Sequence, residues 1–238
     1  MRRLSLFQPT QTDHLSTQKI LTLIGWAGLA SLLLALIPWL APLNYPFRLL
    51  ITIIHELGHG LAAILTGGEF VRFVIFPNGA GLAYTAGGWR FVVIPAGYLG
   101  AALFGAVLIM VGRNYRWSRA AMAIMGLIML VFSLRYGVPS IFTAQIMGGL
   151  LTTISGVILG GLFLWVAFKA SPSWVIFWLH LLAIRAGLTA FSDIVGIIGI
   201  STTLFGAPRS DAQSMAELTF IPAFVWAVLW AITTLALI

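Results

Sequence analysis

The sequence predicts an all-α polytopic membrane protein of about seven transmembrane helices. It also predicts a short β-hairpin or irregular strand segment between the second and third spans. Hydrophobic residues make up 60% of the 238 residues and charged residues only 8%, whereas a soluble domain carries about 25% charged residues. The mean hydropathy is +1.03, and the apolar residues come in long runs. The chain is therefore expected to form one domain over residues 1–238, embedded in the lipid bilayer.

The apolar runs divide the chain into its predicted elements. A polar tail, residues 1–19, comes first, and Arg2, Arg3 and Lys19 predict that it is cytoplasmic by the positive-inside rule. Residues 67–90 are rich in Gly, β-branched and aromatic residues without a helical stripe, which predicts a hairpin at the membrane surface. The predicted spans are residues 20–41, 46–66, 91–112, 119–138, 141–168, 174–199 and 216–238.

Charge and cysteine content exclude two classes of function. The formal net charge is +7, but the basic residues lie in short connections between apolar runs and form no basic face, so a nucleic-acid partner is not expected. The chain has no cysteine. Any metal site must therefore be built from histidine and carboxylate ligands.

The second predicted span contains the sequence His55-Glu56-Leu57-Gly58-His59. Residues four apart lie on the same face of a helix, so both imidazoles can bind one zinc ion. Glu56 can then act as general base on the water that the metal activates. Ionisable residues near the bilayer centre each cost about 2.5–3.5 kcal/mol, which favours a shared functional role for these three.

These residues and their surroundings resemble the site-2 protease family of intramembrane zinc metalloproteases, and more narrowly its M50B-like branch. The resemblance is carried by HELGHGLAAILTGG in the second span, then PNGAGLAYTAGG, then PAGYLGAALFGAVL. It implies a catalytic zinc ion, a membrane-spanning protein or peptide as substrate, and His55, Glu56 and His59 as the matching site residues. The Asn-Pro-Asp-Gly and Leu-Asp-Gly motifs that supply the third ligand in familiar members do not occur here.

The third metal ligand must then be sought among the other acidic residues. Asp193 lies alone in an apolar run, and the 1.5 Å helical rise puts it at a depth similar to that of His59, about 9–11 Å from the same surface. Asp211 follows Ser210 in a segment typical of a helix start, where its alternative role is capping. Relatives of the narrower branch carry acidic residues matching both positions. The sequence favours Asp193, with Asp211 as the alternative ligand.

Two glycine-containing segments are candidates for contacts around the site. Asn78, Gly79 and Gly81 mark a turn in the predicted hairpin, whose strand edge could bind an unwound substrate; the alternative is a plain connecting loop.

Gly97 and Gly105 repeat with Ala101 at four-residue spacing in the third span. Small residues at this spacing let helices approach closely, either against the HELGH helix or in general packing.

The favoured function is intramembrane zinc metallopeptidase of the site-2 type, in which Glu56 is the catalytic base. One alternative is a non-proteolytic zinc-binding membrane protein, such as a pseudo-protease that holds client proteins, and it is motivated by the missing Asn-Pro-Asp-Gly motif. A further alternative is an ion transporter. The glutamate between the two histidines argues against transport.

Overall fold

The computed structural model describes residues 16–201 and 210–237, with only the backbone described for 190–201. Residues 1–15 of the predicted cytoplasmic tail lie outside this range. The described part is mostly helical, with one antiparallel pair of strands. Its elements are α1 (Thr17–Leu36), a 3₁₀ segment (Pro38–Asn44), α2 (Tyr45–Leu65), β1 (Glu69–Ile75), β2 (Gly81–Ala86), α3 (Arg90–Val93), α4 (Ala96–Val111), α5 (Tyr115–Phe132), a π-helical turn (Ser133–Gly137), α6 (Val138–Ile141), α7 (Ile146–Lys169), α8 (Pro172–Ser201), α9 (Asp211–Thr219) and α10 (Ala223–Leu237).

Five described helical segments are long and apolar enough to cross a membrane, or six if α9 and α10 count as one bent span. About seven spans were expected, and two predicted spans account for the difference. The third is shorter than predicted, because α4 has only 16 residues after the separate turn α3. The seventh divides into α9 and α10, which meet at a bend of 119°.

Helix α2 lies at the centre of the packing. It contains the β-branched run Ile51 to Ile54, which disfavours a helix in water. In lipid, however, the backbone must satisfy its own hydrogen bonds, and the helix is retained. Leu50, Ile53 and Leu57 are buried in the main core, together with residues of β1, α4, α5, α7 and α8.

The two strands form a hairpin that runs back along α2. At its base, the backbone N–H of Trp89 donates to the hydroxyl of Thr66, just after the end of α2. At its turn, the hydroxyl of Tyr45, the first residue of α2, donates to the carbonyl of Pro77. The hairpin thus follows α2 over nearly its whole length. The membrane-surface location expected for residues 67–90 stays a prediction.

The outer edge of β1 is closed by side-chain hydroxyl groups. The hydroxyl of Ser140 donates to the carbonyl of Phe73 at 2.7 Å. The N–H of Ile75 donates to the hydroxyl of Thr152, also at 2.7 Å. Among the described residues, β2 pairs with no strand other than β1, and its Ala83 backbone hydrogen-bonds to the carboxyl of Glu56. The other edge of β2 is therefore the candidate edge for a further strand.

Candidate metal centre

The two motif histidines lie one turn apart on α2 and face the same point. Their Nε2 atoms are 3.1 Å apart. The side chains of His55 and His59 are 18% and 10% exposed, so the paired nitrogens lie below the surface but within reach of it. The predicted i, i+4 arrangement is therefore present in the structure.

Asp211 approaches the same point from the other end of the chain. Its Oδ2 atom lies 3.0 Å from Nε2 of His55 and 3.3 Å from Nε2 of His59. Asp211 is the first residue of α9, but it does not cap the helix. Ser210 and Gln213 form the capping box instead, each side chain bonding to the other's backbone N–H. The Asp211 carboxylate is thus available to the histidines.

The orientation of His59 is fixed by the backbone of α3. Its Nδ1 atom lies 2.8 Å from the carbonyl oxygen of Val93. A carbonyl only accepts, so Nδ1 carries the hydrogen, and Nε2 of the neutral ring presents a lone pair. This lone pair faces the Asp211 carboxylate and the imidazole of His55. The three atoms therefore converge on one point, where a metal ion, or a proton on one imidazole, can be shared.

The three ligand atoms are placed so that they could hold a metal ion. Of the described residues, His55, His59 and Asp211 form a group whose ligand atoms all lie within 4.8 Å of one another. Zinc binds nitrogen and carboxylate oxygen at about 2.0–2.2 Å in tetrahedral geometry, which requires ligand atoms roughly 3.3–3.5 Å apart. The observed separations of 3.0, 3.1 and 3.3 Å are close to this range.

Glycines allow α4 to pack directly against the imidazoles. A Cβ atom at Gly97 would lie 2.5 Å from Nε2 of both His55 and His59, and one at Gly58 would collide with the backbone of Ala96. Gly97 therefore packs against the HELGH helix. Of the two interpretations of this small-residue repeat, packing on the HELGH helix or general helix packing, the first holds for Gly97. Gly105 faces α8 instead, where the carbonyl oxygen of Ala183 would be 3.6 Å from an added Cβ.

Glu56 is buried beside the first residues of β2. Its residue exposure is 5%, and its carboxyl group lies against Gly81, where an added Cβ would collide with it. The backbone of Ala83 is also in contact with this carboxyl. The backbone of Gly81 and Ala83 therefore lies directly against the glutamate. This arrangement leaves the carboxyl close to the available edge of β2.

The residues that mark the hairpin turn have structural roles. The Asn78 side chain accepts a hydrogen bond from the N–H of Ala80 at 3.0 Å, and Gly79 has a φ of 82°. Thr52 of α2 donates to the carbonyl of Gly79 at 2.7 Å. Gly81 lies against the side chain of Glu56, whereas Asn78 and Gly79 shape the turn. Substrate binding by these three residues stays a prediction.

The preferred third ligand from the sequence, Asp193, lies in α8. Its side chain falls outside the residues whose side chains are described, so its assignment as a ligand stays a prediction.

Sequence reasoning missed two neighbours of the histidines, the carbonyl of Val93 and the ring of Tyr98. The first is a backbone atom and has no sequence signal. The second lies next to Gly97 in the segment PAGYLG, where it was not distinguished from other aromatic residues.

Comparison with protein families agrees with this geometry. The model of the Peptidase M50B-like family matches residues 28–238. The chain belongs to this family. The resemblance inferred from the HELGH helix and the segments after it is thereby confirmed, and this M50B-like chain is an integral membrane protein of a peptidase family. No curated protein and no solved structure matches it.

Proposed function

We propose that this M50B-like protein is an intramembrane zinc endopeptidase of the site-2 type, which hydrolyses peptide bonds of membrane-spanning substrates. The observation that carries the proposal is the convergence of His55, His59 and Asp211 next to a buried glutamate, Glu56. Two histidines and one carboxylate are a ligand set of catalytic zinc sites, and such sites keep a fourth position for water.

We assign His55, His59 and Asp211 as the metal ligands. Asp211 replaces Asp193 in this proposal because its carboxylate oxygen is already at 3.0 and 3.3 Å from the two imidazole nitrogens. With three protein ligands supplied, a further carboxylate would occupy the position that water needs.

Each residue around the proposed metal site has a distinct role in the reaction. When bound, zinc supplies a Lewis acid that makes a water molecule acidic near neutral pH. Glu56 takes the proton from this water and later delivers it to the amine nitrogen of the leaving product. Burial of Glu56 under the main chain of β2 keeps bulk water away from this proton transfer. The Val93 carbonyl holds the Nδ1 hydrogen of His59 throughout.

The substrate is proposed to bind in extended form along the available edge of β2. A peptide bond inside a helix is shielded, so the substrate must unwind, and pairing with a strand edge satisfies its exposed backbone groups. The outer edge of β1 cannot serve, because Ser140 and Thr152 already occupy it. Gly81 and Ala83 would then lie opposite the scissile bond, next to Glu56, while Asn78 and Gly79 maintain the turn.

The experiment compares Glu56→Gln with the wild type and with Glu69→Gln. Glu69 is an exposed glutamate on β1, and its change to Gln is chemically the same. The purified proteins are incubated with a single-span substrate in detergent or liposomes, and products are identified by mass spectrometry. Glu56→Gln should bind zinc at wild-type stoichiometry and cleave nothing, whereas Glu69→Gln should cleave normally.

Two results would count against the proposal. Unchanged turnover in Glu56→Gln would remove the glutamate from the chemistry. A wild-type protein that binds zinc tightly and cleaves no single-span substrate would favour the alternative, a zinc-binding membrane protein without protease activity.

A further inference from the structure

The two histidines of the metal centre are oriented by different means. His59 donates its Nδ1 hydrogen to the Val93 carbonyl, the kind of partner that metal-binding histidines normally have. Both hydrogen-bond contacts of His55 involve Nε2, and within the described part of the chain none reaches its Nδ1. Apart from these contacts at Nε2, the orientation of His55 needs another physical cause.

That cause is the ring of Tyr98 on α4. The ring centroids of His55 and Tyr98 are 4.5 Å apart with an interplanar angle of 81°, an edge-to-face arrangement. Aromatic rings favour this geometry, because the positive edge of one ring lies on the negative face of the other. The neighbouring residue, Gly97, has no side chain and leaves the space in which the two imidazoles lie. Tyr98 thus limits the rotation of His55 in addition to the contacts of its Nε2 atom with Asp211 and His59.

Tyr98 is in turn held by α10. Its ring stacks on Trp230 with centroids 5.8 Å apart and an interplanar angle of 22°. Trp230 is only 4% exposed and lies in a small core with Ala212 and Met215 of α9 and Ala227 of α10. Helix α9 also carries Asp211. The helices that supply the third ligand therefore also support the ring that packs on the first.

We propose that Tyr98 is a positioning residue for the metal ligand His55, and that Trp230 holds Tyr98 in place. This inference rests on the proposed function only in that it takes His55 as a metal ligand. The packing keeps Nε2 of His55 directed at the point where His59 and Asp211 meet. Without it, the imidazole turns about its side-chain torsions, and one of three ligands is lost for part of the time.

The test measures binding of Co²⁺, a spectroscopic substitute for zinc, by the purified full-length chain in detergent. The variants are Tyr98→Leu, Tyr98→Phe and Trp230→Leu. The matched control is Trp165→Leu, which removes a tryptophan that is 61% exposed on α7, outside the core that contains Trp230. The readouts are the dissociation constant for Co²⁺, the visible absorption spectrum of the bound ion, and the melting temperature without metal.

Removing either packing ring should weaken Co²⁺ binding by about 10- to 100-fold, the usual effect of changing a residue that orients a metal ligand. The absorption spectrum should also change, because the ligand geometry becomes less uniform. Tyr98→Phe keeps the ring and should bind Co²⁺ like the wild type, as should Trp165→Leu. Trp230 also packs on α9, which carries Asp211, so weaker binding by Trp230→Leu supports the proposal only if the absorption spectrum changes as it does in Tyr98→Leu.

Wild-type affinity and an unchanged spectrum in a folded Tyr98→Leu or Trp230→Leu protein would overturn the proposal. Equal weakening in Tyr98→Phe and Tyr98→Leu would also overturn it, since the hydroxyl group and not the ring would then act on the site. A wild type that binds Co²⁺ but cleaves no peptide would contradict the proposed protease function alone. A wild type without Co²⁺ binding would contradict both.

Discussion

The imidazole of His59 donates its Nδ1 hydrogen to the carbonyl oxygen of Val93, across 2.8 Å. This single bond links α2 to the short helix α3 and directs the Nε2 lone pair towards His55 and Asp211. A lone pair, a carboxylate oxygen and a second imidazole then lie within 3.3 Å of one another. A metal ion bound between them would be a ligand-bound cation that all three atoms stabilise at once.

Removal of the metal should therefore destabilise the protein. A ligand present at 100 times its dissociation constant stabilises the folded state by about 2.7 kcal/mol, and a chelator removes that contribution. We expect a lower melting temperature after treatment with 1,10-phenanthroline and recovery on adding zinc, measured by intrinsic tryptophan fluorescence in detergent. A variant with both His55→Ala and His59→Ala is the control, and its melting temperature should not respond. An equal response in this variant would show that the chelator acts elsewhere.

The two candidate third ligands can be separated by substitution. Asp211→Ala should lower zinc affinity by more than about 100-fold, exceeding the effect of changing a residue that only orients a ligand. Asp193→Ala should leave zinc stoichiometry and affinity unchanged. Zinc content is measured on purified protein by elemental analysis after equilibration at defined free zinc. The opposite pattern, with metal lost only in Asp193→Ala, would restore the assignment that the sequence favoured.

Gly97→Ala should disrupt the metal centre by direct contact. The added methyl group would lie 2.5 Å from Nε2 of both His55 and His59, so the imidazoles or α4 must move. We expect weaker zinc binding and loss of peptide cleavage in a protein that remains helical by circular dichroism. Gly100→Ala on the same helix is the control, because its methyl group would make an ordinary contact of 3.6 Å with Gly58. Equal zinc affinity in the two variants would contradict the close packing of α4 on the site.

Gly81→Val should separate metal binding from turnover. Its side chain would collide with the Glu56 carboxyl and with Thr52, while the three proposed ligands are untouched. We expect zinc content to stay at the wild-type level and the cleavage rate at saturating substrate to fall at least about tenfold, since the general base is displaced. Leu82→Ala, at the next and exposed strand position, is the control. Normal cleavage by Gly81→Val would contradict the position of the Glu56 carboxyl against Gly81 during the reaction.

The parts of the site that sequence could predict are those set by local geometry. His55 and His59 share a helix, so their four-residue spacing alone fixes their common face. The turn at Asn78 and Gly79 likewise follows from local chemistry. The Asn78 side chain accepts a hydrogen bond from the backbone two residues later, and Gly79 adopts a positive φ that glycine tolerates. In both cases the residues that determine the geometry lie within a few positions of one another in the chain. The strand pair expected between the second and third spans was also confirmed.

The third ligand depends on long-range packing, and here sequence reasoning had less to work with. Asp193 was preferred because an isolated carboxylate in an apolar run needs a partner. Asp211 was the alternative ligand, with helix capping as its other role; Ser210 and Gln213 form the cap. Nothing local indicates that the first residue of α9 reaches the histidines of α2. The number of spans also depended on long-range packing, which the sequence does not show directly. Composition does not predict the left-handed conformation of Phe220, with a φ of 60°, at the end of α9, where the chain turns into α10.

The distance along the chain between the proposed ligands has a consequence for biosynthesis. His55 and Asp211 are 156 residues apart in sequence, and the ribosome adds only about 5–20 residues per second. For several seconds or more, a nascent protein therefore has both imidazoles in the membrane without their carboxylate. During that interval it lacks one of the three proposed metal ligands, so the proposed peptidase would gain its activity only after its last helices have been made.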